Sequence, residues 1–173
     1  MAKCKSCKSE FHQYNMLQNL CVNCAIKKGK EKVKKDWRIE KKERKEALLS
    51  HKDWLKMLQV LVNTYVRLRD KNQNCISCDK PLKGKYDAGH YFSVGAYPNL
   101  RFDLNNIHGQ CVHCNRHKHS NANEYTLRLP SRIGQEAFND LTERRNEPLK
   151  LSIPEIKKMI AEYKAKIKEL KNN

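Results

Sequence analysis

The sequence predicts an α+β fold: a small strand–strand–helix core pinned by metal, with flanking helices and a separate four-cysteine metal unit at the N-terminus. Three observations carry this expectation. The eight cysteines fall as four C-x-x-C pairs, Cys4/Cys7, Cys21/Cys24, Cys75/Cys78 and Cys111/Cys114. Between the third and fourth pairs, apolar and polar residues alternate as they do in half-buried strands. Elsewhere apolar residues recur at helical spacing.

Composition narrows the class. Of 173 residues 39% are apolar and 32% charged, so the core is expected to be small and local. Lys and Arg number 36 against 19 acids, a net charge of +17. Such an excess repels itself, and a polyanion would relieve it. Nucleic acid is the first reading; a basic protein with no such partner is the other. Met1 to Glu10 is polar and lysine-rich, unlike an export signal, and no apolar run approaches the roughly 20 residues needed to cross a bilayer. The expected setting is a reducing cytosol without membrane attachment. Disulfides belong to oxidising compartments, and a redox C-x-x-C needs only one pair in a thioredoxin-like frame. Two residues between cysteines let both thiolates reach one ion, and two such turns complete a tetrahedron. Pairing by sequence proximity gives two structural zinc sites: Cys4, Cys7, Cys21 and Cys24, then Cys75, Cys78, Cys111 and Cys114.

In chain order, residues 1–26 form a zinc-binding unit too short to hold a core without its metal. Residues 27–50 follow as a basic linker helix: Lys27 to Lys45 holds eleven basic residues and four acids, with no proline. As a helix of about 35 Å it presents Lys34, Lys35, Arg38, Lys41 and Lys42 as candidate phosphate contacts; a merely solvated linker is the alternative. Ser50 can cap the next helix, where Trp54, Leu58, Leu61, Tyr65 and Leu68 recur at four-three spacing as core scaffold. The core proper is expected over 51–129, and C-terminal helices over 130–173. There Ile133, Ala137, Phe138 and Leu141 suggest a short amphipathic helix beyond Pro130. Ser152-Ile-Pro-Glu155 resembles a capping box opening a last helix, which either docks on the core or joins a second copy.

Residues 87 to 119 hold the chemistry. Leu100, Phe102 and Leu104 read as a half-buried strand, with Tyr86 to Phe92 as its hairpin partner. Cys111 to Cys114 then forms a knuckle with a helix starting just after it, on which Asn115 and His119 share a face. His90 from the hairpin and Asn115 from the helix are expected to converge on one ion. Phosphodiester hydrolysis needs a base for water, a cation on the phosphate and help for the leaving oxygen. A neutral imidazole suits the first role, and an amide oxygen with waters suits Mg²⁺ in the second. Arg101, Arg116 and Lys118 stand close by as candidate phosphate contacts.

The order His90, Asn106, then Asn115 directly after C-x-x-C resembles the zinc-bearing HNH, or ββα-metal, nucleases over residues 75 to 120. The resemblance implies His90 as general base, Asn106 as the residue bracing the hairpin, and Asn115 as a ligand of a catalytic Mg²⁺ or Mn²⁺. Many HNH nucleases carry an acidic ligand directly before the base, where this chain has Gly89. Asp87 and His119 are the candidates for a second ligand, and Asp87-Ala-Gly-His90 is similar to the D-R-G-H element of non-specific ββα-metal nucleases. More widely, C-I-S-C, A-G-H-Y-F-S, L-R-F-D and N-I-H-G-Q-C resemble the phage lambda NinG (Rap) family. That resemblance implies endonucleolytic cleavage of branched DNA, Holliday junctions and D-loops, in a host bacterial cytoplasm; paired nicks across a junction favour a homodimer. The competing expectation is a non-catalytic zinc-ribbon protein that binds nucleic acid, and a redox or zinc-sensing regulator is a third.

Overall fold

A computed structural model describes residues 1–172, and its internal contacts divide the chain between Leu49 and Ser50. In the first unit, strand β1 (Ala2–Lys3) pairs antiparallel with β2 (Glu10–Phe11), and the turn between them carries Cys4 and Cys7. Lys8 takes the left-handed conformation (φ 64°) that closes this turn. Helix α1 (Val22–Ala47) begins five residues before Lys27, so Cys24 sits in its first turn, Cys21 is its N-cap, and residues 26 and 27 lie inside it. At 26 residues it is about 39 Å long. It buries none of its side chains, so helix-forming composition and exposed pairs such as Arg44–Glu40 sustain it.

The second unit opens with α2 (His51–Arg69). Ser50 Oγ accepts from the Asp53 amide and the Asp53 carboxylate accepts from the Ser50 amide, both at 3.2 Å, forming a complete capping box. Its apolar stripe buries Trp54, Leu55, Leu58, Val62 and Val66. The final helix α5 (Ile153–Asn172) packs along α2 and buries Ile156, Ile160, Tyr163 and Ile167. The Tyr65 and Tyr163 rings meet edge-on at 5.5 Å. Of the two expectations for this helix, docking on the core is what the fold shows. Glu155 accepts from the Ser152 amide and hydroxyl at 2.8 and 2.6 Å, which fixes its start.

The hairpin differs from the sequence reading. Strand β3 (Tyr86–His90) pairs with β4 (Ile107–Cys111), not with residues 100–104. Leu100 ends a 3₁₀ turn (Pro98–Leu100), and Leu100 and Phe102 are buried from within a loop. Their alternation imitated a strand, whereas β4 is buried on both sides at residues 107–110 and so shows no alternation. The outer edge of β4 is covered by polar groups. Gly109 N–H donates to Asp70 Oδ2 (2.7 Å), Ile76 N–H donates to Gly109 O (3.1 Å) and Arg69 Nη2 donates to Ile107 O (2.8 Å). Asp70 is buried and held by Arg69 at 2.6 and 3.0 Å, which satisfies both charges.

Past the knuckle the expected helix is interrupted. His113–His117 form a π-type turn, and His119, Ser120 and Asn121 adopt left-handed φ of 45°, 68° and 45°. Helix α3 (Ala122–Ile133) begins only after this break, includes Pro130, and is separated from α4 (Gln135–Glu143) by Gly134 at φ 89°. Residue 130 therefore lies inside a helix rather than at a boundary, and Ile133 belongs to α3 rather than to the helix of Phe138 and Leu141. Buried Ile76, Leu100, Tyr125, Leu129 and Leu141 form the core against which the hairpin loop's Tyr91, Phe92 and Tyr97 pack. No helix among the described residues is long and apolar enough to cross a membrane.

A Cβ on Gly109 would lie 2.5 Å from Leu82 Cδ1 and 3.0 Å from Asp70 Cβ. Gly109→Ala is expected to lower stability by about 1–3 kcal/mol, the range for overpacking, in urea unfolding of the zinc-loaded protein. Unchanged stability would contradict this account of the β4 edge.

Candidate metal centres and catalytic cluster

Two groups of four thiols stand out: Cys4, Cys7, Cys21 and Cys24 in the first unit, and Cys75, Cys78, Cys111 and Cys114 in the second. Within each group the sulfurs lie within 4.8 Å of one another. Cys7–Cys21 and Cys78–Cys111 are 3.7 and 3.9 Å apart, without a disulfide. Zinc–sulfur bonds of about 2.3 Å give tetrahedral edges of about 3.8 Å, so both donor sets fit zinc. Backbone N–H groups point at the sulfurs, from Cys21 to Cys4 Sγ and from Cys111 to Cys75 Sγ, each at 3.3 Å. Hydrogen bonds of this kind from the Cys21 and Cys7 backbone lower the Cys4 thiol to about 6, which favours the thiolate ligand.

The second cluster ties the hairpin to the turn after it. Cys111 ends β4 directly opposite Tyr86, and Asn115 comes one residue after Cys114, in the middle of the π-type turn. Such turns are rare and recur at functional sites. Asn115 Nδ2 donates to Asp87 Oδ2 at 3.0 Å, and Arg116 grips the same carboxylate through Nε (2.8 Å) and Nη2 (2.9 Å). The Arg116 hydrogen bonds, followed by that of Asn115, hold the Asp87 carboxyl below its usual range against the opposing effect of burial. Asp87 is thus an orienting group for Asn115, whose Oδ1 takes no hydrogen bond among the described residues.

Strand alternation places Asp87, Gly89, His108 and Gln110 on one face, and Ala88 and His90 on the other. His90 is half-buried at the end of β3, with Nε2 3.0 Å from the Arg101 carbonyl. A ring nitrogen facing a carbonyl carries the proton, so the lone pair resides on Nδ1. Burial lowers the pKa of His90, and the Arg101 charge lowers it further against the carbonyl's opposing effect, so the ring is neutral near pH 7. Arg101 is itself held by Gln59 of α2, Nε to Oε1, at 3.1 Å. Asn106 is wholly buried and braces the loop: Oδ1 accepts from Phe92 N–H (2.7 Å), while Nδ2 donates to Phe92 O and Leu100 O (3.0 Å each).

Of the residues expected from sequence, Asp87, Asn115 and Arg116 come together, and His90 joins Arg101. No hydrogen bond links His90 to Asn115 among the described residues; Asn115 meets Asp87, whose strand face is opposite that of His90. His119 is exposed in the left-handed break and does not share a helical face with Asn115 as expected. Lys118 is exposed beside it. Lys34, Lys35, Arg38, Lys41 and Lys42 are all exposed along α1, with Lys41 stacked on Trp37 at 4.6 Å.

Sequence reasoning passed over His108, Gln110 and Tyr125. His108 Nδ1 lies 3.2 Å from the Tyr125 hydroxyl, which donates to Gly89 O at 3.1 Å, the carbonyl just before His90. The phenol oxygen therefore accepts from His108 Nδ1–H. The available signal was two polar residues two apart in a segment that must be buried.

The family model described as bacteriophage Lambda NinG protein matches residues 1–173. Protein ninG of Escherichia phage 933W is 37% identical over 190 residues, covering 99% of this chain and 94% of that protein. Protein ninG of Escherichia phage lambda is 44% identical over 130 residues, covering 75% of this chain and 63% of that one. Protein ninG of Salmonella phage P22 is 41% identical over 130 residues, again 75% of this chain and 64% of that one. No solved structure matches.

Burial, with a smaller effect from Arg69, pushes His108 down to about 3. An unfolded histidine titrates near 6.5, so in acid the unfolded state binds a proton that the folded state refuses. The resulting stability is complete above pH 6.5 and is lost as pH falls from there towards 3. Between pH 7.5 and 5.5, wild type is expected to lose about 1 kcal/mol more than His108→Gln in urea unfolding. Equal losses would show that His108 is not held neutral.

Proposed function

The chain belongs to the bacteriophage lambda NinG family, and from that premise we propose that it is a metal-dependent endonuclease with an HNH core, cutting DNA phosphodiesters in branched recombination intermediates. The observation that carries the reading is His90: a neutral, half-buried imidazole, locked by the Arg101 carbonyl at the end of a hairpin braced by Asn106. A surface histidine needs no such support. A general base does, because proton abstraction demands a fixed ring and a pKa near working pH.

In this reading His90 takes the proton of the attacking water through Nδ1. Asn106 holds the 91–106 loop so that the Arg101 carbonyl stays on the ring. Asn115, its amide turned by Asp87, offers Oδ1 to a divalent ion. That ion, Mg²⁺ or Mn²⁺, supplies positive charge to the scissile phosphate when bound. Arg116 stays half exposed while paired to Asp87, and with Arg101 and Lys118 supplies cationic contacts for the strand. The two zinc sites are structural. Exposed lysines along α1 suit phosphate contact, in keeping with the net charge of +17. A DNA partner places the protein in the host bacterial cytoplasm, and paired cuts in a four-way junction suit two copies of the chain.

A non-catalytic zinc-ribbon binder is the second reading, favoured by the same lysines and thiol clusters. One experiment separates them. His90→Ala is expected to keep zinc, fold and junction affinity while losing cleavage by about 10² or more, the size typical of a lost base. Asn115→Ala is expected to lose cleavage as well, with partial recovery as Mg²⁺ or Mn²⁺ is raised; His90→Ala should not recover. Cleavage by His90→Ala at the wild-type rate would overturn the HNH assignment, with His90 as its base, and loss of cleavage by neither variant would leave that site without a role.

A further inference from the structure

Gln110 is wholly buried in β4, yet its carboxamide oxygen has no hydrogen-bond partner among the described residues. An orphaned buried acceptor is costly, and this one is held in place rather than left loose. Its Nε2 donates to Ser77 Oγ at 2.6 Å and to Ser120 O at 2.5 Å, which fixes which end of the amide is oxygen. The Ser120 carbonyl is brought there by three successive left-handed residues, and Asn121 Nδ2 ties the same segment to Cys114 Sγ at 3.7 Å. Left-handed backbone at non-glycine residues is uncommon and persists only where surrounding contacts hold it.

The oxygen points along the strand towards Gly89. A Cβ at that position would stand 2.2 Å from Gln110 Oε1, about the reach of a carboxylate oxygen from its own Cβ. Only glycine there admits the amide, and Gly89 is the residue before His90. Gln110 is also directly opposite Asp87 in the ladder, hence on the same face. Asp87 holds the nitrogen of Asn115. Gln110 on that face, and Asn115 held against Asp87, therefore each have the NH₂ end tied back and the oxygen without a hydrogen bond among the described residues.

We infer that Gln110 Oε1 and Asn115 Oδ1 are paired neutral ligands for one hard divalent cation beside Gly89. Neutral amide oxygens completed by water suit such ions, and the Asp87 carboxylate behind Asn115 adds charge from the outer shell. This deepens the proposed function, resting on its assignment of Asn115 as a ligand, and supplies the second protein ligand.

The test uses the full-length, zinc-loaded protein and Mn²⁺ as probe. In wild type, substoichiometric Mn²⁺ should broaden the side-chain NH₂ signals of both Gln110 and Asn115 beyond detection. Survival of the Gln110 signal at stoichiometric Mn²⁺, with that of Asn115 lost, would overturn the inference while leaving the nuclease reading intact. Survival of both signals would overturn the inference and the ligand role of Asn115 together. By electron paramagnetic titration, Gln110→Leu should weaken Mn²⁺ binding at least tenfold. Gln110→Glu, which keeps an oxygen there but sets it against the Ser120 carbonyl, should bind within threefold of wild type or tighter. If Glu binds as poorly as Leu, Gln110 only supports the Ser120 segment and the inference fails. His90→Ala should leave Mn²⁺ binding unchanged, so cleavage by that variant would count against the base alone.

Discussion

Cys75 and Cys78 meet Cys111 and Cys114 across more than thirty residues of chain, and the hairpin and the turn after it hang on that closure. A two-stranded hairpin is marginal on its own in water. Here the cluster fixes both the end of β4 and the turn carrying Asn115, and brings Ile76 and Ser77 onto the hairpin. Ile76 then joins Leu100, Tyr125, Leu129 and Leu141 in a core of modest size. A zinc ion held by these four thiols would supply folding free energy that so small a core cannot. In the N-terminal unit α1 buries nothing, and a zinc ion on its four thiols would matter there still more.

Around that closure the interior is unusually polar. Asp70 and Arg69 cover the β4 edge, Asn106 braces the loop, and His108 joins Tyr125 to the Gly89 carbonyl. These groups are buried with their hydrogen bonds made, which is what permits them there. Their common effect is to fix the peptide and side chain at residues 89 and 90 without apolar packing. Gln110 departs from this, with one end satisfied and the other not, as does Asn99 nearer α4.

Much of this was legible in the chain, for identifiable reasons. Cysteine spacing gave both clusters, because tetrahedral ligation constrains sequence tightly. Ser50 and Asp53, and the four-three stripes of α2 and α5, gave the helices, because amphipathic periodicity survives in a one-sided environment. Strand β4 was hidden since it is covered on both sides, while Leu100 and Phe102 alternated for reasons of loop burial. The break at His119–Asn121 was hidden too: none of these is glycine, and the left-handed run is held by contacts from Gln110 and Cys114 that lie elsewhere in sequence. His90, Asn106 and Asn115 stand out in the chain by their order. Their supports, Arg101 O, Asp87 and Tyr125, are tertiary facts that no local pattern records.

Family membership and zinc-fitting thiols describe a scaffold, and the step from scaffold to enzyme rests on His90 and Asn115. The most direct measurement is incubation of the zinc-loaded wild-type chain with a labelled four-way DNA junction and, in parallel, its separate linear arms, with and without Mg²⁺. The account predicts discrete cuts in the junction only when Mg²⁺ is present, and far slower cutting of the arms. Tight junction binding with no cleavage at any Mg²⁺ or Mn²⁺ concentration would contradict it and leave a zinc-ribbon binding protein.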